Sequence, residues 1–289
     1  MRSQKSLLIT GLILSPLAGC NQSYSQVQQP SPAPKFRVVT TFLPMYWFTK
    51  AVVGEEVEIL IPPGTEVYDY QATPANVSAI ATASVLVKNG IDFEQFLDGT
   101  IKSAQNAQLK EIDASANIKS LAGNPHVWLD PVLAKQQVAN IRDGLVAANP
   151  ENKAIYQANA KIYIQQLEKL DAEYKQRLQK YPNCTFISFH DTYPYLTNRY
   201  QIKQVAVVEI PEDQLSPTDV QKAINAVKQY KAKTIFGEPG VDNKLLKALS
   251  QDLNLTLQPL DSLESGIDPL HPNLCSTRLL TSTIINLCF

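Results

Sequence analysis

The sequence holds 289 residues, 44% of them hydrophobic and 18% charged, with 26 Lys and Arg against 27 Asp and Glu. That length and composition give one large domain or two modest ones around a packed core, and exclude an intrinsically disordered chain. A net charge of −1 offers no basic face for nucleic acid, and 11 glycines against 19 prolines argue against Gly-rich phosphate loops.

At the amino terminus, Arg2 and Lys5 precede an apolar run over 6–17. The run has the length of a secretory signal and is too short to span a bilayer. It leads into Leu17-Ala18-Gly19-Cys20, which resembles a bacterial lipobox; the alternative is an ordinary secretory signal with a coincidental cysteine. The lipobox reading makes 1–19 a signal peptide and Cys20 the lipidated first residue of the mature chain. It places the protein in the cell envelope, periplasmic or on the outer face of the membrane, with the membrane as a partner through the anchor. Residues 20–35 are then the anchor and a polar, Pro-rich tether. Cys184, Cys275 and Cys288 remain, with no CxxC or CxH spacing to suggest a thiolate zinc site. Three thiols leave at least one without a partner, and Cys184, which opens an apolar strand, reads as a small core residue.

Along the body, apolar strands are predicted at 36–41, 57–61, 84–88, 184–189, 205–210, 233–237 and 254–260, with helices between them. Continuous apolar runs of this kind indicate buried parallel strands. The aromatic run 42–48 has the spacing of a helix packed on the first strand. Thr73-Pro74, Asp130-Pro131, Asn149-Pro150 and Ser216-Pro217 each put a capping oxygen before a proline suited to the first helical position. Ser216 and Asp219 also resemble a capping box. Residues 150–181 read as one amphipathic helix of about 48 Å, with Ile155, Ala158, Ile162, Leu167, Leu170, Tyr174 and Leu178 on its apolar face. The expected fold class is α/β: two β/α lobes with mostly parallel sheets, 36–149 and 182–289, joined by a rigid helix over 150–181. The alternative is a single domain carrying a long surface helix.

Open α/β sheets bind ligands beyond the carboxyl ends of their strands. The groups there are Glu66, Tyr68 and Asp69 after the second strand, His126 before a capped helix, His190 after CTFISF, Glu238 after KTIFG, and Asp261 after LTLQPL. Imidazole and carboxylate together suit a borderline divalent ion such as zinc. Trp128, two residues from His126, reads as a buttress. Residues 209–214 could face either the cleft or a partner.

The stretches VVTTFLPMYWFTKAVVG, ILIPPGTEVYDYQATPANV, PHVWLDPVLAKQQVANIRDGL, FISFHDTYPYLTNRY, IPEDQLSPTDV and IFGEPGVDNKLL resemble the zinc/manganese solute-binding proteins of bacterial ABC transporters. The resemblance covers residues 36–262. It implies two lobes holding one metal ion between them, acting as a monomer with a membrane permease and its ATPase and without catalysis. Carried over by motif, the ligands are His126, His190 and Asp261, with zinc favoured over manganese. The chain departs from the family where a histidine would supply the first ligand: that position is Tyr68, so Tyr68, Glu66 or Asp69 is left as a weak or substituted fourth ligand. It also lacks a His-rich loop before PHVWLDP, and after Gly266 its tail, which holds His271, replaces the family's charged closing helix. Two other readings follow: a degenerate lipoprotein with weak or no metal affinity, or a zinc hydrolase using His126, His190 and Asp261 with Glu238 as base. Neither an HExxH motif nor a nucleophile elbow supports the hydrolase.

Overall fold

The computed structural model describes residues 35–54, 57–182, 184–208, 216–239 and 244–264. The expected signal peptide, Cys20, most of the tether, residues 209–214, and the tail with His271, Cys275 and Cys288 lie outside them. Among the described residues, no helix is long and apolar enough to cross a membrane.

The first sheet takes β1 (Val38–Thr40), β2 (Glu58–Ile59), β3 (Val85–Lys88) and β4 (Lys110–Asp113), all parallel, in the spatial order β2-β1-β3-β4. The second repeats that order with β5 (Thr185–His190), β6 (Lys203–Val208), β7 (Thr234–Gly237) and β8 (Thr256–Pro259), arranged β6-β5-β7-β8. The fold is therefore the expected α/β pair of parallel sheets. β4 was not predicted: only Ile112 of its four residues is buried, so an edge strand with this polar sequence carries no apolar run.

Helix starts follow the sequence closely. α1 (Leu43–Val53) buries Leu43, Met45 and Phe48 and ends at Gly54, whose φ of 76° is the left-handed turn that glycine adopts without strain. α2 (Pro74–Ala81) and α7 (Pro217–Tyr230) begin with reciprocal capping boxes, Thr73 with Asn76 and Ser216 with Asp219. Asp130 caps α4 (Pro131–Ala148) through the N–H groups of Val132 and Leu133. α3 (Leu97–Ala104), α6 (Pro194–Tyr200) and α8 (Lys244–Asp252) complete the described helices.

The predicted long helix divides. Pro150–Asn152 form a single 3-10 turn, and α5 runs over Lys153–Leu178, 26 residues or about 39 Å. Its buried face is Tyr156, Ala160, Leu167, Leu170, Tyr174 and Leu178. Ile155 and Ile162, expected inside, are 52% and 57% exposed, and Ala158, expected on the same face, is exposed as well. Tyr156 and Ala160 take the inner positions instead, and Asn159 donates to the Val52 carbonyl of α1. One apolar cluster runs from Val38 and Phe42 through Tyr156, Leu167 and Tyr174 to Phe186, Phe236 and Leu260. The two sheets therefore share a core against which one face of α5 packs. Cys184 belongs to this core and is disulfide-bonded.

Candidate metal centre

The carboxyl ends of both sheets converge on two imidazoles. His190 is the last residue of β5, paired with Val208 of β6, and is 1% exposed. Gln204 Nε2 and Ser188 Oγ both donate to its carbonyl, at 2.8 and 3.0 Å. Its Nδ1 lies 2.7 Å from Glu238 Oε1, just past β7, and Ser262 Oγ donates to the other Glu238 oxygen at 2.9 Å. His126 reaches the same place from the loop after β4 and is also 1% exposed. Asn124 Oδ1 accepts from its backbone N–H at 3.1 Å and lies 2.8 Å from its Nδ1.

These contacts orient both rings. Acceptors at Nδ1 place the protons there and leave the Nε2 lone pairs facing inward. The Tyr68 hydroxyl lies 3.0 Å from His126 Nε2 and 3.5 Å from His190 Nε2. Glu264 Oε1 lies 2.8 Å from His126 Nε2 and receives no hydrogen bond among the described residues, although Glu264 is only 3% exposed. Two lone pairs that close, buried together, call for a proton or a cation between them.

The electrostatics agree. Burial, helped by the positive field of His190, holds His126 well below the usual imidazole range against the pull of Glu238 and Asp191. Burial would lower His190 too, but its hydrogen bond to Glu238 and the fields of Glu264, Glu238 and Asp191 leave it raised. Burial and then Glu238 hold the Glu264 carboxyl well above its usual range, with His190 opposing and Glu66 adding to the rise.

Among the described residues, ligand atoms of His126, His190 and Glu264 lie within 4.8 Å of one another. Asp261, expected at this position, is not in that cluster: its carboxylate accepts from the Leu263 N–H at 2.7 Å and turns the chain so that Glu264 points inward. Asp69 is exposed and Glu66 half-buried. The Trp128 ring lies 5.2 Å from that of His126 at a tilt of 57° and donates to the Ser262 carbonyl at 2.9 Å, while Phe93 packs on Tyr68 and His126. Sequence reasoning overlooked Glu264 and Asn124. The signal for Glu264 was a second acid three residues beyond Asp261 in the same strand-end loop.

The arrangement can coordinate a cation through two neutral imidazoles and a carboxylate, a set that suits zinc. Comparison with known proteins agrees. The family described as "Zinc-uptake complex component A periplasmic" matches residues 38–272. The high-affinity zinc uptake system protein ZnuA of Bacillus subtilis (strain 168) is 31% identical over 270 residues, covering 86% of this chain and 85% of that protein. The zinc-binding lipoprotein AdcA of Streptococcus pneumoniae is 30% identical over 282 residues, and the match spans 55% of AdcA's length. Among solved structures, the laminin-binding protein Lbp of Streptococcus pyogenes superposes with a TM-score of 0.81 at 28% identity, covering 88% of this chain and 100% of that one. The Zn(II)-bound ZnuA-like domain of S. pneumoniae AdcA gives 0.77 at 29% identity, covering 88% and 99%. By these matches the chain belongs to the periplasmic zinc-uptake component A family, whose members are metal-binding solute receptors of ABC importers and not enzymes.

Proposed function

We propose that the chain captures one zinc ion, in preference to manganese, between its two lobes, 36–149 and 182–289, and delivers it to a membrane permease and its ATPase. The observation that carries this reading is the convergence of His126 Nε2, His190 Nε2 and the undonated Glu264 Oε1 within 4.8 Å. Two imidazoles favour a borderline ion over manganese, which prefers more oxygen ligands. His126, His190 and Glu264 hold the ion and water fills the fourth position. The neutral Tyr68 phenol hydrogen-bonds the imidazoles when the ion is absent and stands outside the ligand set, since phenols are absent from the usual zinc ligands. The shared core through α5 supports small lobe movements on loading. Cys20 anchors the mature chain by its lipid, on the extracytoplasmic side.

Calorimetric titration of the mature, metal-stripped chain with Zn²⁺ and Mn²⁺ tests the reading. Tight Zn²⁺ binding that is lost in Glu264→Gln is expected. Heat from neither ion would overturn it. Tyr68 is the one observation that favours a second reading, a copy with little metal affinity; silence in the wild type with tight binding by Tyr68→His would establish that reading.

A further inference from the structure

We propose that Asn124 is a positioning residue that sets the tautomer of His126 and ties the loop carrying it to the strand end carrying His190. The inference rests on the metal-receptor reading only for what the positioning serves. Asn124 belongs to the loop after β4, two residues before His126, and touches both histidine-bearing segments through one amide. Oδ1 accepts the His126 backbone N–H at 3.1 Å and lies 2.8 Å from Nδ1 of the same residue. Nδ2 donates to the Asp191 carbonyl at 2.8 Å, directly after His190.

The amide cannot be turned over. A backbone N–H only donates and a carbonyl only accepts, so Oδ1 must face His126 and Nδ2 must face Asp191. An acceptor 2.8 Å from Nδ1 then requires the proton on Nδ1, which frees the Nε2 lone pair for the centre of the site. Without that acceptor, the proton can sit on Nε2 and block the ligand atom.

A second side chain from the opposite lobe holds the same loop. The Tyr195 hydroxyl, on α6, donates to the Asn124 carbonyl at 2.5 Å and accepts from the Leu121 N–H at 3.0 Å. Asn124 is thus fixed by the second lobe through its side chain and through its backbone. His190 has its own acceptor in Glu238 Oε1, 2.7 Å from Nδ1, and its backbone is placed by the β5 ladder rather than by side chains.

The test uses the metal-stripped chain and two variants. Asn124→Leu fills similar space but loses both bonds. Asn124→Asp keeps the acceptor for Nδ1 and loses the donor to Asp191. Nitrogen NMR of the histidine rings reads the tautomer without any metal, and zinc titration reads the consequence. The expected result is an Nδ1–H ring at His126 in wild type and Asn124→Asp, and a ring shifted toward Nε2–H in Asn124→Leu. Zinc affinity should fall about 10- to 100-fold in Asn124→Leu, the usual effect of losing a hydrogen-bond partner behind a ligand, with most of it restored in Asn124→Asp. His190 should keep its Nδ1–H tautomer in both, held by Glu238, which separates positioning from general damage. An Nδ1–H ring at His126 in Asn124→Leu would overturn the proposal, as would undiminished zinc affinity in that variant. If the tautomer shifts as expected but the wild type binds no zinc, the tautomer assignment stands and the metal-receptor reading falls.

Discussion

The two sheets share one strand order yet deliver their functional groups differently. The second sheet carries His190 on the last residue of β5 and Glu238 one residue past β7. The first sheet carries Tyr68 and His126 on loops, nine residues past the end of β2 and 13 past the end of β4. A strand-end residue inherits its position from the ladder, whereas a loop residue must be held by side chains. Much of that hold comes from the opposite lobe: Tyr195 on the His126 loop, the Ser262 carbonyl on Trp128, and Arg199 on Asp130, whose carboxylate its Nε contacts at 2.5 Å. One lobe is a fixed platform, and the other is fastened to it.

The largest effect should come from the proposed ligands themselves. His126→Ala and His190→Ala should each lower zinc affinity by more than about 100-fold, beyond what losing a supporting hydrogen bond costs. Amide hydrogen exchange would sharpen the contrast: the His126 variant should loosen its loop, while the His190 variant leaves β5 protected. Equal loosening in both would break the platform-and-loop distinction.

Next in size is the fastening itself. Arg199→Leu leaves the buried Asp130 carboxylate without its ion pair and should cost about 2 kcal/mol in denaturant unfolding. This is below the fully buried range because Arg199 is partly exposed. An unchanged midpoint would show that this contact does not hold the lobes.

Acid should release the ion. Binding needs His190 free of its Nε2 proton and Glu264 ionised. Both groups are raised, so both take up protons at higher pH than the free side chains do, and His190 begins to do so above its ordinary 6.5. Zinc affinity should therefore fall as pH is lowered through neutrality, by up to about tenfold per pH unit for each proton taken up. Titrations across a pH series check the sign; affinity that rises on acidification would contradict it.

The smallest effect belongs to Tyr68. Tyr68→Phe removes a hydroxyl that hydrogen-bonds the imidazole lone pairs and should tighten zinc binding about three- to tenfold, the worth of one neutral hydrogen bond. Weaker binding would make the phenol a ligand.

Much of this was legible in the sequence because the central strands are continuous apolar runs and α2, α4 and α7 begin with a capping side chain and a proline. The strand-end rule put His126 and His190 among the candidates, the resemblance singled them out, and the structure brings the two rings together. The resemblance pointed to the acid of the last strand's loop and so to Asp261, which comes first after the strand, whereas the turn made by Asp261 brings Glu264 to the imidazoles. Asn124 was invisible for a related reason: its importance lies in facing Asp191, a contact across 67 residues that no local spacing encodes. β4 was hidden by its polar edge. The first half of α5 was misread because its two isoleucines fit the helical period while the wider face with Tyr156 and Ala160 is the one packed inside.

The apolar cluster that threads α5 has a mechanical consequence. Parting the lobes would expose core side chains such as Leu167 and Tyr174 to water, so a wide clamshell motion is closed to this molecule. Exchange of a bound ion would then fall to the two first-lobe loops that carry Tyr68 and His126. The residence time of the ion would become a property of their fastenings, and a substitution at Asn124 or Tyr195 would retune it with every proposed ligand left unchanged.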